Sequence, residues 1–232
     1  KHAKLRTNVK TINFGLAYGM GPHKLADTLN ISNSILDFME GMSNFTIMLK
    51  KHFRGYPEMI SFSSKYFYSS KLQTMKMRGK PISEVLEFQL LPDDGLLDVH
   101  ENTNENEAQY ILNRILEQLD QKDFRSVAVI TPFNQQQMLI SRIVSDHEKY
   151  DEIINKLKFK CFTFDSCQGE ERDIIYFSFV ATEKRDRLWA IFPKSLEEQS
   201  EEELDRNLKM QRLNVGFSRG KEKLIFVHSK PI

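Results

Sequence analysis

Ser126-Val127-Ala128-Val129-Ile130-Thr131 is a short run, apolar at consecutive positions and closed by Pro132. Side chains along a strand point alternately to the two faces of a sheet, so a run apolar at both parities must be covered on both sides. A parallel sheet with helices on each face imposes that condition. Proline has no amide hydrogen to continue a ladder, so Pro132 ends the strand, and Asn134 to about His147 reads as the next helix. Upstream, Asn104 to Leu119 is a helix with Tyr110, Ile111, Ile115 and Leu119 on one face; Glu107, three residues after Asn104, makes a capping-box-like start.

Further strands are expected at 85–90, 159–164, 173–180 and 223–228, with another over 46–53. Pro57 suits the first turn of a helix through Tyr66, and a short helix is expected at 207–213 after an acidic, helix-prone stretch at 197–206. Pro92-Asp93-Asp94-Gly95 reads as a turn. Towards the N-terminus, helices are expected over 4–18, 22–29 and up to Met39. Strands alternating with helices predict an α/β fold with a mostly parallel sheet.

The 33 basic residues nearly balance the 32 acidic ones, for a net charge of +1. The balance is an average over separated regions. Residues 1–24 hold five Lys or Arg and no acid, while 197–205 hold six acids and no base. Near-neutrality therefore does not exclude a nucleic-acid partner. No run approaches the roughly 20 apolar residues of a membrane span, and the charged start Lys1-His2-Ala3-Lys4 lacks the apolar core of a secretory signal. A cytoplasmic chain with no membrane partner is expected, with Cys161 and Cys167 as reduced, buried thiols. No His, Cys and carboxylate set has metal-ligand spacing.

Three segments adjoin the strands: Val129-Ile130-Thr131-Pro132-Phe133-Asn134-Gln135-Gln136, a strand ending in a polar turn, the polar loop Phe164 to Asp173, and the basic helix-and-loop Gln211 to Lys221. Loops beyond the C-termini of parallel strands share one edge, where ligands bind, so one phosphate- or nucleotide-facing surface is expected from all three. Here the sequence resembles the second, RecA-like domain of superfamily 1 helicases, in the branch of the nonsense-decay RNA helicase. Gln168-Gly169-x-Glu171-x-Asp173 matches that family's motif V. Arg212-Leu213-Asn214-Val215 with Ser218-Arg219-x-Lys221 matches motif VI, departing at Gly220, where the family more often has alanine. Thr131-Pro132-Phe133 with Gln136 matches a strand-end element that contacts nucleic acid, and Leu49 to Phe67 matches motif IV, over roughly residues 34–232 in all.

The resemblance implies Arg54 and Arg219 as arginine fingers, because a guanidinium from a facing domain stabilises charge on the γ-phosphate. It implies nucleotide contacts by Gln168, Gly169, Glu171 and Arg212, with Glu171 accepting from the ribose. It also implies single-stranded DNA or RNA at Thr131, Pro132, Ser166 and Asn214. ATP and Mg belong to the complete two-domain enzyme. This chain has no Gly-x-x-x-x-Gly-Lys-Ser/Thr loop, so it is expected to be inactive without its N-terminal RecA-like partner domain.

Residues 1–32 carry a second resemblance. Arg6-x-x-x-Lys10-x-x-x-Phe14-x-x-x-Tyr18-Gly19 is similar to motif B, the fingers helix of family A DNA polymerases. Fourfold spacing puts Arg6, Lys10, Phe14 and Tyr18 along one helix face. The expected division is thus a helical segment, 1–32, and a RecA-like domain, 33–232. The alternatives to half a helicase are a fused nucleic-acid-binding module with a polymerase fragment and a non-enzymatic interaction domain.

Overall fold

A computed structural model describes residues 45, 47–92, 102–182, 188, 192, 193 and 208–229. The chain divides into two compact units, Lys1–Leu49 and Lys50–Ile232. The helices expected before residue 40, the turn after Pro92 and the acidic stretch 197–206 lie outside the described residues.

The second unit contains, in order, β1 (Lys51–His52), α1 (Pro57–Phe67), β2 (Gln73–Thr74), a 3-10 turn (Ile82–Glu84), β3 (Leu86–Leu90), α2 (Glu105–Asp120), β4 (Val127–Thr131), α3 (Asn134–Ser145), α4 (Tyr150–Leu157), β5 (Lys160–Thr163), β6 (Arg172–Thr182), α5 (Leu208–Phe217) and β7 (Gly220–Ser229). The main sheet has five strands in the order β3-β7-β6-β4-β5, and every pairing is parallel. β1 and β2 form a separate parallel pair. The α/β fold is therefore as expected: a parallel sheet flanked by helices, as in a RecA-like domain. No helix among the described residues is long and apolar enough to cross a membrane.

The period of two along the strands sorts the core into two layers. Val127, Val129, Ile174, Tyr176, Ile225 and Val227 face α2, α3 and α4. Ala128, Ile130, Ile175, Phe177 and Leu224 face the opposite way, with Tyr56 and Met59 at the start of α1 and Leu213 of α5. On this second face Phe88, Phe226 and Phe177 occupy one register line across β3, β7 and β6. Their rings stack in sequence at 4.9 Å each. Such cross-strand aromatic pairs pin register in addition to burying area.

Several elements depart from expectation. Of the strand expected over 46–53, the described residues form only Lys51–His52, paired in parallel with β2. Helix α4 was not foreseen; two turns long, it buries only Ile153 and Leu157, too short a pattern to stand out. Helix α5 runs past 213 to Phe217 and carries Gly216 inside it. A Cβ on Gly216 would lie 2.3 Å from the Phe164 ring. The glycine is there for close approach, not as a helix stop.

A buried polar network closes the C-terminal ends of β6 and β7. Asn104 caps α2, its side chain accepting from the Glu107 amide. The reciprocal half of a capping box is absent, since the Asn104 amide donates instead to Gln136 Oε1 at 2.7 Å. Gln136, expected in the nucleic-acid element, is fully buried and also donates to Asn104 O and Ser178 Oγ. The Glu107 carboxylate turns inward and accepts from Ser178 Oγ at 2.7 Å and the Val180 amide at 3.0 Å. Val180 has φ 68°, a strained conformation for a β-branched residue, beside a register irregularity between Ser178 and Thr182.

Two predictions follow from this packing. Gly216→Ala forces Phe164 against Phe177 and Phe192, and should cost about 1–3 kcal/mol in urea unfolding despite alanine's higher helix propensity. An unchanged midpoint would contradict the close-approach account. Burial, opposed by its hydrogen bonds, pushes the Glu107 carboxyl up from 4.5 to about 7. A folded pKa above the unfolded one stabilises at low pH, and that contribution is lost as pH rises through the folded value. The unfolding free energy of the wild type relative to Glu107→Gln should therefore fall between pH 4.5 and about 7; a flat difference would contradict the buried-carboxyl assignment.

Candidate functional site

Arg54 sits in the turn between β1 and α1. The His52 ring accepts from the Gly55 amide at 3.0 Å, which tightens this turn. Burial, and then the Arg54 charge, lower the His52 pKa and keep Nε2 available as an acceptor. Gly55 packs so close to β7 that a Cβ there would lie 3.0 Å from Gly220 O. Pro57 then starts α1 with its fixed φ. These constraints aim Arg54 at the point where β6 and β7 begin.

At that point Arg172 pairs with Gly220, so Glu171 and Arg219 immediately precede neighbouring strands. Arg54 Nε donates to Glu171 Oε2 at 2.8 Å, and its Nη1 donates to Ser218 O at 2.9 Å. Lys221 takes the other Glu171 oxygen, Oε1, at 2.7 Å. The Lys221 hydrogen bond, then that of Arg54, holds the Glu171 carboxyl below the usual range. Arg219 donates through Nε to Val215 O at 2.7 Å and through Nη2 to Ser218 Oγ at 2.9 Å. Burial, and after it the nearby Arg54, lower the Arg219 pKa. Three cations thus gather round one carboxylate, an arrangement suited to an incoming anion.

The other expected residues fall elsewhere. Gln168 and Gly169 are exposed in the crossing between β5 and β6, where Gly169 has φ +82°, a conformation that favours glycine. Arg212 pairs with Asp165 at 2.7 Å, tying α5 to that crossing. Thr131 is fully buried, and its Oγ1 has no hydrogen-bond partner. Pro132 is half-buried. Ser166 is exposed, and its Oγ accepts from the Thr163 amide at 2.9 Å. Asn214 lies within α5, half-buried.

The expectation of one shared edge is corrected. Thr131 ends β4 and Phe164 follows the C-terminal end of β5, whereas Glu171 and Arg219 precede β6 and β7 at the opposite edge. The segment after β5 is also the segment before β6, and two parallel strands oblige it to traverse the height of the sheet. The ion pair between Lys160, at the start of β5, and Glu170 marks its return.

Residues 31–231 match the AAA domain family AAA_12. The chain belongs to that family. It is 24% identical over 220 residues to Helicase sen1 of Schizosaccharomyces pombe, covering 88% of this chain and 12% of that protein. It is 22% identical over 202 residues to "Probable helicase MAGATAMA 3" of Arabidopsis thaliana, covering 78% of this chain and 22% of the relative. The chain therefore spans a small part of the length of these curated relatives. A solved structure described as the C-terminal domain of a possible DNA helicase from Lactobacillus plantarun WCFS1 aligns with 75% of this chain and 86% of that one, at 11% identity and TM-score 0.36.

In this AAA domain Gly220 replaces the alanine expected by resemblance, and the packing explains why. A Cβ on Gly220 would meet Leu224 Cδ2 at 2.4 Å in the buried layer beneath. Both cysteines are free, and burial pushes the Cys161 thiol up to about 12 and the Cys167 thiol up to about 11. Neither is a poised nucleophile at neutral pH. Among the described residues no group of three His, Cys, Asp or Glu side chains could hold a metal ion. Sequence reasoning gave no role to Ser218 or Lys221, which contact the functional candidates directly; their place on either side of Arg219 was the available signal. Arg6, Lys10, Phe14 and Tyr18 lie outside the described residues and before the family match.

Proposed function

We propose that this chain is the C-terminal motor domain of an ATP-dependent superfamily 1 helicase. It supplies Arg54 and Arg219 as arginine fingers to ATP bound mainly by a second RecA-like domain. The observation that carries the reading is the convergence of Arg54, Glu171 and Arg219 at the start of β6 and β7, from three separate parts of the chain. The family match and the helicase names of the curated relatives support it.

The chemistry is electrostatic. A guanidinium has five N–H donors. Arg54 spends one on Glu171 and one on Ser218 O, so three remain for phosphate oxygens. Charge that develops on a transferring phosphoryl group is stabilised most by donors already oriented before the reaction. Glu171 reaches a ribose hydroxyl by exchanging one of its cation partners. ATP and Mg would be held in the complete two-domain enzyme.

Single-stranded DNA or RNA runs along the opposite edge, past Pro132 and Ser166, with Thr131 beneath. Gln168 and Gly169 lie in the crossing that links the two edges and couple nucleotide state to strand grip. Arg212 supports that crossing from α5 through Asp165, and Asn214 contributes to the nucleic-acid contact. The basic stretch before residue 25, with Arg6 and Lys10, adds an electrostatic contact to the same class of ligand.

The test joins the chain to an ATP-binding RecA-like domain that carries a phosphate loop. Nucleic-acid-stimulated ATP hydrolysis should appear, and Arg219→Ala should lower kcat about a thousandfold or more. An unchanged kcat in that variant would overturn the finger assignment.

A further inference from the structure

Arg54 and Arg219 carry like charges, and each is fixed through the same residue. Arg54 Nη1 donates to the Ser218 backbone carbonyl at 2.9 Å. Arg219 Nη2 donates to the Ser218 hydroxyl at 2.9 Å. A serine hydroxyl has one hydrogen. Ser218 commits it to Val215 O at 3.0 Å, which leaves the oxygen lone pairs facing Arg219. Val215 O also accepts from Arg219 Nε, so the guanidinium is held at two nitrogens, one by a backbone carbonyl and one by the Ser218 hydroxyl bonded to that same carbonyl. The remaining contact, Nη1 to Glu170 O, is long at 3.5 Å.

Among the described residues no carboxylate is hydrogen-bonded to Arg219, and Glu171 offsets the repulsion from Arg54 only through space. Glu171 is bonded to Arg54 and Lys221, and Glu170 is paired with Lys160 and Arg172. Ser218 is itself anchored, since its amide donates to Asn214 O at the end of α5. Its position therefore follows the helix.

We propose that Ser218 is a positioning residue that holds the Arg54 and Arg219 guanidiniums as one rigid pair, its carbonyl fixing the first and its hydroxyl the second. Removing the hydroxyl releases only Arg219. Threonine keeps the oxygen and so keeps the pair. The consequence for ATP hydrolysis rests on the finger reading of these two arginines; the brace itself does not.

The experiment has two arms. In the chain alone, solvent exchange of the Arg219 Nε–H is followed by 15N NMR. Ser218→Ala should speed it about tenfold, Ser218→Thr should restore it, and Arg54 Nε–H should stay unchanged. No change at Arg219, or equal change at both arginines, overturns the brace. In the chain joined to an ATP-binding domain, Ser218→Ala should lower kcat about tenfold with little change in KM for ATP, and should add nothing to Arg219→Ala. If Arg219→Ala is crippled while Ser218→Ala turns over normally, the finger reading stands and the positioning role falls. If Arg219→Ala itself turns over normally, the finger reading falls, and the exchange arm still decides the brace.

Discussion

The parallel pairing of β6 with β7, with Arg172 opposite Gly220, is the constraint on which the candidate site depends. It places the residues just before two strands, Glu171 and Arg219, side by side although 48 positions of sequence separate their strands' starts. The pairing is held from beneath by Ile175, Phe177, Leu224 and Phe226, whose layer α1 and α5 cover. Gly55 and Gly220 let the Arg54 turn close onto the start of β7. Slippage of β7 by one residue would exchange its two buried layers, mismatch both and separate the cluster.

The electrostatics of the cluster serve geometry more than stability. The side chains of Arg54, Lys221 and Glu171 are between about a third and two-fifths exposed, and ion pairs so exposed contribute little to folding. Their effect is to fix orientation. A carboxylate that binds a different cation on each oxygen cannot rotate freely, and a guanidinium bonded at two nitrogens has a set plane. Preorganised donors need no rearrangement when an anion arrives, which is the condition under which such groups aid a reaction most.

Much of the fold was legible because β4, β6 and β7 carry apolar residues at both parities, a pattern that demands cover on two faces. The Asn104 cap was legible too. Its partner Glu107 was not, because a capping-box glutamate is ordinarily solvated, and this one is drawn inward by Ser178 and the strained Val180. Helix α5 extends beyond the expected end at 213, and the close approach of the Phe164 ring to Gly216 inside it is a contact between distant residues that local pattern does not carry. Arg54, Glu171 and Arg219 came from motif resemblance, and the structure brings them together. Arg212 turned to Asp165, and Thr131 is buried, outcomes that motif order does not reveal. The shared-edge inference failed for a topological reason: a segment following one parallel strand also precedes the next, and its two ends lie at opposite edges.

The most direct measurement is a crystal structure of the chain joined to an ATP-binding RecA-like domain, with ADP, Mg and aluminium fluoride in the cleft. The account predicts Arg54 and Arg219 nitrogens within about 3 Å of the fluoride ligands, in hydrogen-bond contact with the stand-in for the transferring phosphoryl group. A filled cleft with both guanidiniums out of reach, Arg54 still on Glu171 and Arg219 still on Val215, would contradict it.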